Sequence, residues 1–337
     1  MRSLFFVAPG ELEWREAPAP RLAAPGDALV RPIVMTTCDI DPLIIGGTAP
    51  LPGPFPIGHE AIGEVLEVGT DVTRVRPGDR VVMSYYDACG VCQRCARSLP
   101  NRCLETSPDL VRRTWHGIGF TPTGYFSDVV RVPAADFALP VLPAGLDPTY
   151  LGSLGDNIGF AWEYVVPHLE VRPGVDVLVM GGCGSIALYA VMFAVAAGAA
   201  SVTYVDRSVE RLAIAEGYGA RVIEGPAPKA VGSFPITVDA SADSASLLCA
   251  IRSTEVEGVC SSVGGHFAPV AMPLFEMYAK GVTFYTGPGR GLPNVAGALA
   301  MIGDGRADPS RVTSAVLPFA DAAEALRRPS LKPVFVR

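Results

Sequence analysis

Residues 177–206, VLVMGGCGSIALYAVMFAVAAGAASVTYVD, constrain this 337-residue chain more than any other stretch. An apolar strand-like run ends in glycines. An uncharged helical run follows, and a second strand-like run closes at Asp206. Gly182, Gly184 and Ala187 stand in G-x-G-x-x-A spacing, with Ser185 and Ile186 between the last two. Glycines there permit a tight turn and let the backbone approach a pyrophosphate seated on the helix N-terminus. Asp206, 22 residues past Gly184, is in place to accept hydrogen bonds from an adenosine ribose. A glycine motif alone is weak. The strand before it, the helix after it and the acid at that distance make it strong. Asp206 favours NAD, because its charge repels a ribose phosphate, while Arg207 and Arg211 keep NADP open. Further strand patterns near 234–241, 256–265 and 281–287 continue an α/β, doubly wound unit. The same stretch does not read as a membrane span. Glycines at 181, 182, 184 and 198 leave about 13 uninterrupted apolar residues, where a span needs about 20.

The length exceeds what one core usually holds and predicts two domains. A formal charge of -7 argues against nucleic acid or an anionic membrane as the partner. The start, MRSLFFVAPGELEW, lacks the basic end, long apolar centre and cleavage site of a signal peptide and reads as a short strand and a turn. This predicts a cytoplasmic protein, where clustered cysteines are more often metal ligands than disulfides.

Cys89, Cys92, Cys95 and Cys103 follow the spacing C-x2-C-x2-C-x7-C. Two intervening residues let a turn aim paired thiolates at one ion, and four thiolates close a tetrahedral zinc shell. A closed shell has no place for substrate, so this spacing predicts a structural zinc. A disulfide pair or stray thiols is the competing reading.

A second constellation lies elsewhere. Cys38 sits in VMTTCDIDPLIIGG, His59 and Glu60 in FPIGHEAIGEV, and Asp156 in LGSLGDNIGFAWEYV. Each stands among polar residues and glycines beside apolar runs. Cys38, His59 and Asp156 would supply sulfur, nitrogen and oxygen ligands with a fourth position open, as in a catalytic zinc site. Asp41 is placed to hold a histidine ring. Asp156 equally suits a helix N-cap, and both readings stand at this point.

Taken in order, Cys38 with Asp41, Gly58-His59-Glu60, VRPGDRVV at 75–82, the four-cysteine lobe, the G-x-G-x-x-A turn and Asp206 resemble the zinc-dependent alcohol dehydrogenase branch of the medium-chain dehydrogenase/reductase family. The resemblance covers nearly the whole chain. It implies a GroES-like, β-rich catalytic domain at 1–150 and 288–337, carrying the zinc lobe at 85–105. A Rossmann domain for NAD(P) is implied at 151–287. It implies two zinc ions per chain, with Cys38, His59 and Asp156 as catalytic ligands, Glu60 as a carboxylate able to approach the metal, and Asp41 as the residue orienting His59. Relatives with Cys or Glu as third ligand align through FAWEYVV, which puts Asp156 in that place. The resemblance also implies a substrate pocket with Thr48, Tyr85, Trp115 and Phe160, and Lys332 either reaching the pyrophosphate or lying on the surface. A homodimer or homotetramer joined through the cofactor domain's sheet edge follows by analogy.

One departure stands out. The family carries Ser or Thr two residues after the first ligand and often His five residues after it, to pass a proton through the coenzyme ribose. This chain has Ile40 and Leu43, which carry no proton. Asp39, beside them, is the candidate to have taken over, with Thr37, Glu60 or a zinc-bound water as alternatives, and a solvated loop acid or a coenzyme-contacting residue as the competing reading of Asp39. The implied activity is hydride transfer between a nicotinamide coenzyme and an alcohol or carbonyl compound. The competing readings are a reductase of C=N or conjugated C=C bonds, a polyol dehydrogenase, and a nucleotide-binding protein without turnover.

Overall fold

The N-terminal runs RSLFFVA and ELEWRE form an antiparallel pair, β1 (Arg2–Ala8) and β2 (Glu11–Glu16), in which Leu4, Phe6 and Leu12 are buried. The computed structural model describes residues 1–49, 51–106 and 124–337. In it the chain divides into one unit of Met1–Gly159, Arg290–Ala296 and Thr313–Arg337, and a second of Phe160–Gly289 and Gly297–Val312.

The first unit continues through β3 (Ala28–Thr36), β4 (Phe55–Pro56), β5 (Glu60–Val68), β6 (Arg80–Met83) and β7 (Val130–Val132). β4 joins the outer side of β1, and β7 pairs with the start of β3. The second unit holds β8 (Asp176–Met180), β9 (Ser201–Asp206), β10 (Arg221–Glu224), β11 (Phe234–Asp239), β12 (Thr254–Ser262) and β13 (Thr283–Thr286). The chain then returns to the first unit with β14 (Ala315–Pro318) and β15 (Pro333–Val336), which complete a sheet ordered β14-β15-β3-β5-β6. Apolar β-branched and aromatic residues fill these strands, as a half-buried pleated surface favours. Their inner faces enclose a core that includes Phe6, Met35, Ile57, Phe126 and Phe335.

Two registers of this sheet position the functional side chains. Thr36 of β3 faces Glu60 of β5. Cys38 lies just beyond the first strand's end and His59 just before the second strand's start. Val334 of β15 also faces Thr36, which brings Lys332 to the same end of the sheet.

The second unit is a parallel sheet ordered β10-β9-β8-β11-β12-β13. Numbered within the unit this is 3-2-1-4-5-6, the doubly wound order, whose switch point falls between β8 and β11. The strands near 234–241, 256–265 and 281–287 are β11, β12 and β13. The uncharged helix Ser185–Ala196 buries every side chain from Ser185 to Ala194. A helix apolar all round is a core helix when it is this short. Among the described residues no helix is long and apolar enough to cross a membrane.

The unit boundary lies at 159/160 rather than 150/151. Ser153 bonds Glu60, and a side chain at Gly155 would overlap the Met83 carbonyl, so residues 151–159 stay with the first unit. Residues 297–312, expected in the catalytic domain, belong to the second unit. Gly297 packs on Trp162, and Tyr218 donates to the Asp308 carbonyl.

Phe126 is 1% exposed, meets Phe335 edge-on at 5.3 Å and stacks on Phe319 at 6.5 Å. Phe126→Ala is expected to destabilise the first unit by about 3–5 kcal/mol. Urea unfolding with unchanged slope would measure it.

Candidate functional site

Cys38 Sγ, a His59 ring nitrogen and an Asp156 carboxylate oxygen lie within 4.8 Å of one another, all buried. The β3–β5 register sets the first two. Asp156 arrives from the residue before the helix Asn157–Val171. His59 Nε2 is 3.2 Å from Asp156 Oδ2, and Nδ1 is 3.7 Å from Asp41 Oδ1. Asp41 also accepts the Cys38 backbone N–H at 2.8 Å, which pins the loop carrying the thiol. Neither ring nitrogen of His59 has a hydrogen bond, nor does Asp156 Oδ1. Orphaned polar atoms this deep are rare and point to an ion.

The electrostatics agree. Burial pushes the Cys38 thiol well up, and the charges of Asp156, Glu60, Asp39 and Asp41 push it further. Burial alone would lower His59, but Asp41, Asp156 and Glu60 outweigh it and push the ring up to about 9. The cluster holds more negative charge than its surroundings neutralise. A divalent cation on Cys38, His59 and Asp156 would discharge it and deprotonate the thiol. Three protein ligands with the fourth position open is the arrangement of a catalytic zinc.

Beneath this triad, Glu60 is held by three donors. Lys332 Nζ is 2.7 Å from Oε2, Ser153 Oγ is 2.8 Å from the same oxygen, and the Asn157 backbone N–H is 3.1 Å from Oε1. Burial pushes the Glu60 carboxyl up, and Lys332 opposes this. Lys332 is 1% exposed and also donates to the Thr37 carbonyl. This corrects the surface reading of Lys332, whose ammonium is buried on Glu60 and Thr37 inside the first unit. Asp39, half-buried, accepts from the Asn157 side-chain amide at 3.1 Å, and the Asn157 oxygen takes the Cys38 S–H at 3.2 Å. Ile40 and Leu43 pack against the hydrophobic core.

The sulfurs of Cys89, Cys92, Cys95 and Cys103 also lie within 4.8 Å of one another. Cys92 Sγ is 3.5 Å from Cys95 Sγ and 4.0 Å from Cys103 Sγ. A tetrahedron with zinc–sulfur bonds of about 2.3 Å has sulfur–sulfur edges of roughly 3.8 Å. The backbone N–H groups of Cys92 and Cys89 donate to Cys89 Sγ and Cys103 Sγ, each at 3.3 Å. All eight cysteines are free thiols, so the disulfide reading falls. This set fits a closed zinc shell.

In the second unit a cleft of about 130 Å³ is lined by Gly182, Asp206, Arg207, Arg211 and Ser241, among others. Gly182, at φ +136°, adopts a conformation that glycine takes freely, and a side chain there would meet Ser241. Gly181, outside the spacing that marks the motif, is required too. A Cβ there would lie 2.2 Å from the Tyr204 hydroxyl and 2.4 Å from Asp206 Oδ2. Ser185 and Ala187 are fully buried and Ile186 nearly so. Asp206 takes both Arg211 Nε and Nη2 at 2.8 Å, the Ser208 N–H at 2.9 Å and the Tyr204 hydroxyl. Burial would raise this carboxyl, but Arg211, Tyr204 and Ser208 hold it below the usual range. Those four donors fill its acceptor sites. A further hydrogen-bond donor would reach Asp206 only by displacing one of them, and Arg211 is partly exposed. Arg207 is exposed at the rim.

Of the pocket residues, Tyr85 is buried and close enough to Asp156 for its hydroxyl to feel that charge. Thr48 is exposed, Phe160 is buried in the second unit against Gly289, and Trp115 lies outside the described residues. Asn157, Ser153 and Tyr204 were not anticipated. Their roles come from partners 93 to 119 residues away or from a strand neighbour, and no local spacing signals them.

Residues 24–143 match the family model of the alcohol dehydrogenase GroES-like domain. The alcohol dehydrogenase TADH from Thermus sp. ATN1 superposes with a TM-score of 0.89 at 30% identity, covering 100% of this chain and 99% of that one. A protein of Mycobacterium tuberculosis named as a probable zinc-binding alcohol dehydrogenase is 28% identical over 332 residues, 96% of this chain and 84% of its own. An L-threonine 3-dehydrogenase of Streptomyces avermitilis is 32% identical over 208 residues, 60% of this chain and 56% of its own.

Lys332→Met leaves Glu60 buried without its counter-charge and is expected to cost about 3–5 kcal/mol. Pairing it with Glu60→Gln should recover part of that loss in the same urea titration. A single variant as stable as the wild type would count against the buried pair.

Proposed function

This chain belongs to the zinc-dependent alcohol dehydrogenase branch of the medium-chain dehydrogenase/reductase family, and on that premise we propose that Cys38, His59 and Asp156 form its catalytic metal site. The protein is a zinc-dependent nicotinamide oxidoreductase with a GroES-like domain and a doubly wound coenzyme domain. The observation that carries the site assignment is the buried, hydrogen-bond-deficient S, N and O donor set.

Bound there, zinc supplies a Lewis acid for an alcohol or carbonyl oxygen, and the nicotinamide supplies the hydride acceptor or donor. The chain does the rest. Cys38, His59 and Asp156 hold the ion and leave its fourth position for substrate. Asp41 fixes the Cys38 loop and faces the other side of the His59 ring. Lys332, Ser153 and Asn157 anchor Glu60 so that its charge acts at a set distance. Tyr85 supplies an aromatic wall with one hydroxyl, which suits a mostly apolar substrate with a polar anchor. Gly181 and Gly182 keep the coenzyme cleft open beside Asp206. NAD is the coenzyme this cleft favours, and Arg207 with Arg211 supports use of NADP as well. Cys89, Cys92, Cys95 and Cys103 hold the structural zinc. Cysteines outside any disulfide fit a reducing cytoplasm.

The packing of Ile40 and Leu43 into the core favours a second reading, reduction of C=N or conjugated C=C bonds, which needs no hydroxyl proton relay. A panel of alcohols, ketones, imines and enones with NAD(H) and NADP(H) decides between them.

We also infer self-association through β13. Among the described residues this strand is the sheet's outer one and pairs with β12 alone. The adjoining helix Leu274–Lys280 buries no side chain, and Phe275 and Tyr278 are 80% and 82% exposed. An unpaired edge beside an apolar patch invites a second copy.

Metal analysis of the wild type is expected to give two zinc ions per chain, one for each donor set. His59→Ala should retain one, keep its fold and lose at least about 10²-fold in kcat, more than loss of an outer partner costs. Full turnover in that variant would remove the triad from the mechanism. By light scattering the wild type should run as a dimer or tetramer, and Tyr278→Glu should shift it toward the monomer. A monomeric wild type would overturn the β13 assignment.

A further inference from the structure

The second unit carries a charged cluster outside the Asp206 cleft. Asp239, the last residue of β11, is 0% exposed. Its Oδ1 accepts the Ser241 hydroxyl at 2.5 Å, and its Oδ2 accepts the hydroxyl of Ser262, the last residue of β12, at 3.0 Å. His266 Nε2 lies 3.3 Å from the same Oδ2. A buried carboxylate, a partly exposed imidazole and two hydroxyls thus share the carboxyl ends of two adjacent parallel strands. The cluster touches the coenzyme cleft through Ser241, which lines it.

Topology says what belongs there. In a doubly wound sheet a dinucleotide lies across the carboxyl ends of the strands at the switch point. Asp206 closes β9, on one side of that point, and the glycine turn follows β8. The adenosine half and the pyrophosphate take those positions. The other nucleoside then falls over the ends of β11 and β12, where Asp239, Ser241, Ser262 and His266 sit.

We propose that His266, held by Asp239, is the acid–base residue that contacts a ribose hydroxyl on the nicotinamide half of the coenzyme. The inference rests on the reading of this chain as a nicotinamide-dependent alcohol dehydrogenase. With Nε2–H directed at Asp239, the Nδ1 lone pair is the proton acceptor. In the forward step Nδ1 would take that hydroxyl's proton to form Nδ1–H, and the same oxygen would take the proton released by the alcohol, so the ribose hydroxyl is restored. The Asp239 carboxylate stabilises the resulting imidazolium, and solvent water takes the proton from the exposed edge of the ring. Alcohol oxidation releases one proton for each hydride transferred, and Ile40 and Leu43 cannot remove it. The charged groups facing the ring are Asp239 from β11 and Asp243 ahead of the helix Ser244–Ser253, while Ser262 from β12 is neutral. The hydrogen bond to Asp239 leads in raising the ring above its ordinary range, against burial, with both carboxylate charges adding to it.

The chain has four histidines, so the titration of each ring can be followed by NMR on the zinc-loaded protein. NADH is expected to move the His266 titration by roughly half a pH unit or more, and AMP, which lacks the nicotinamide half, to leave it in place. A His266 titration indifferent to NADH, or moved equally by AMP, overturns the proposal. His266→Gln keeps a hydrogen-bonding side chain on a partly exposed loop and should fold. It is expected to bind NADH, to lower kcat for alcohol oxidation at least about tenfold, and to lose the corresponding inflection in the pH profile. Added imidazole should restore part of the rate. An unchanged profile would make the dyad a loop clip. If the wild type oxidises no alcohol, the functional reading fails by that result alone, and the NADH titration still decides the ribose contact.

Discussion

The architecture of the first unit depends on a local imbalance of buried charge. Asp41, Glu60 and Asp156 surround His59 and Cys38 in the interior, and Lys332 is the one fully buried Lys or Arg among the described residues. Ionised carboxylates this deep are tolerated only when paired or bound to a metal. The fold meets that requirement from opposite ends of the chain. β3 and β5 bring the acids and the histidine together, and β15 delivers the lysine across the same register position, Thr36. A C-terminal segment that looks like a simple closing strand is therefore part of the metal site's electrostatics.

The two donor sets solve different problems. Cys89 to Cys103 are local, within fifteen residues, and two short turns plus backbone N–H···S bonds aim their sulfurs without help from distant sequence. Such a loop gains its order from the ion. Cys38, His59 and Asp156 are spread over 119 residues, and a folded sheet must hold them before any ion arrives. A site held by strands resists change in ligand geometry, which a substrate-binding metal needs.

That contrast explains what the sequence could say. The four cysteines, the glycine turn and Asp206 were legible because the chemistry needs those residue types at short, fixed separations. The triad was legible from residue type and context only as one reading among others, and the resemblance strengthened it. Spacing left Asp156 balanced between ligand and helix cap, and the fold brings its carboxylate to 3.2 Å from His59 Nε2. The burial of Lys332 was not legible because its partner, Glu60, is 272 residues away and nothing near the C-terminus signals burial. Gly181 was passed over because its reason is a neighbouring strand's Tyr204 and Asp206. The same limit hid Asp239 and His266, an apolar strand's last residue and a loop histidine with no shared pattern.

Hydrogen-bond occupancy also separates the two carboxylates beside the triad. Glu60 takes Lys332 and Ser153 on one oxygen and the Asn157 N–H on the other. Moving it toward a metal would break a buried ion pair and strand an ammonium, at a cost of several kcal/mol. Asp156 Oδ1 has no hydrogen bond, and its Oδ2 faces only the His59 ring. It is free to ligate without stranding a partner. Which carboxylate would approach an ion in the proposed site thus depends on what each acid would have to give up. On the proposed metal site, the buried lysine argues for Asp156 as the ligand and for Glu60 as a charge held behind it.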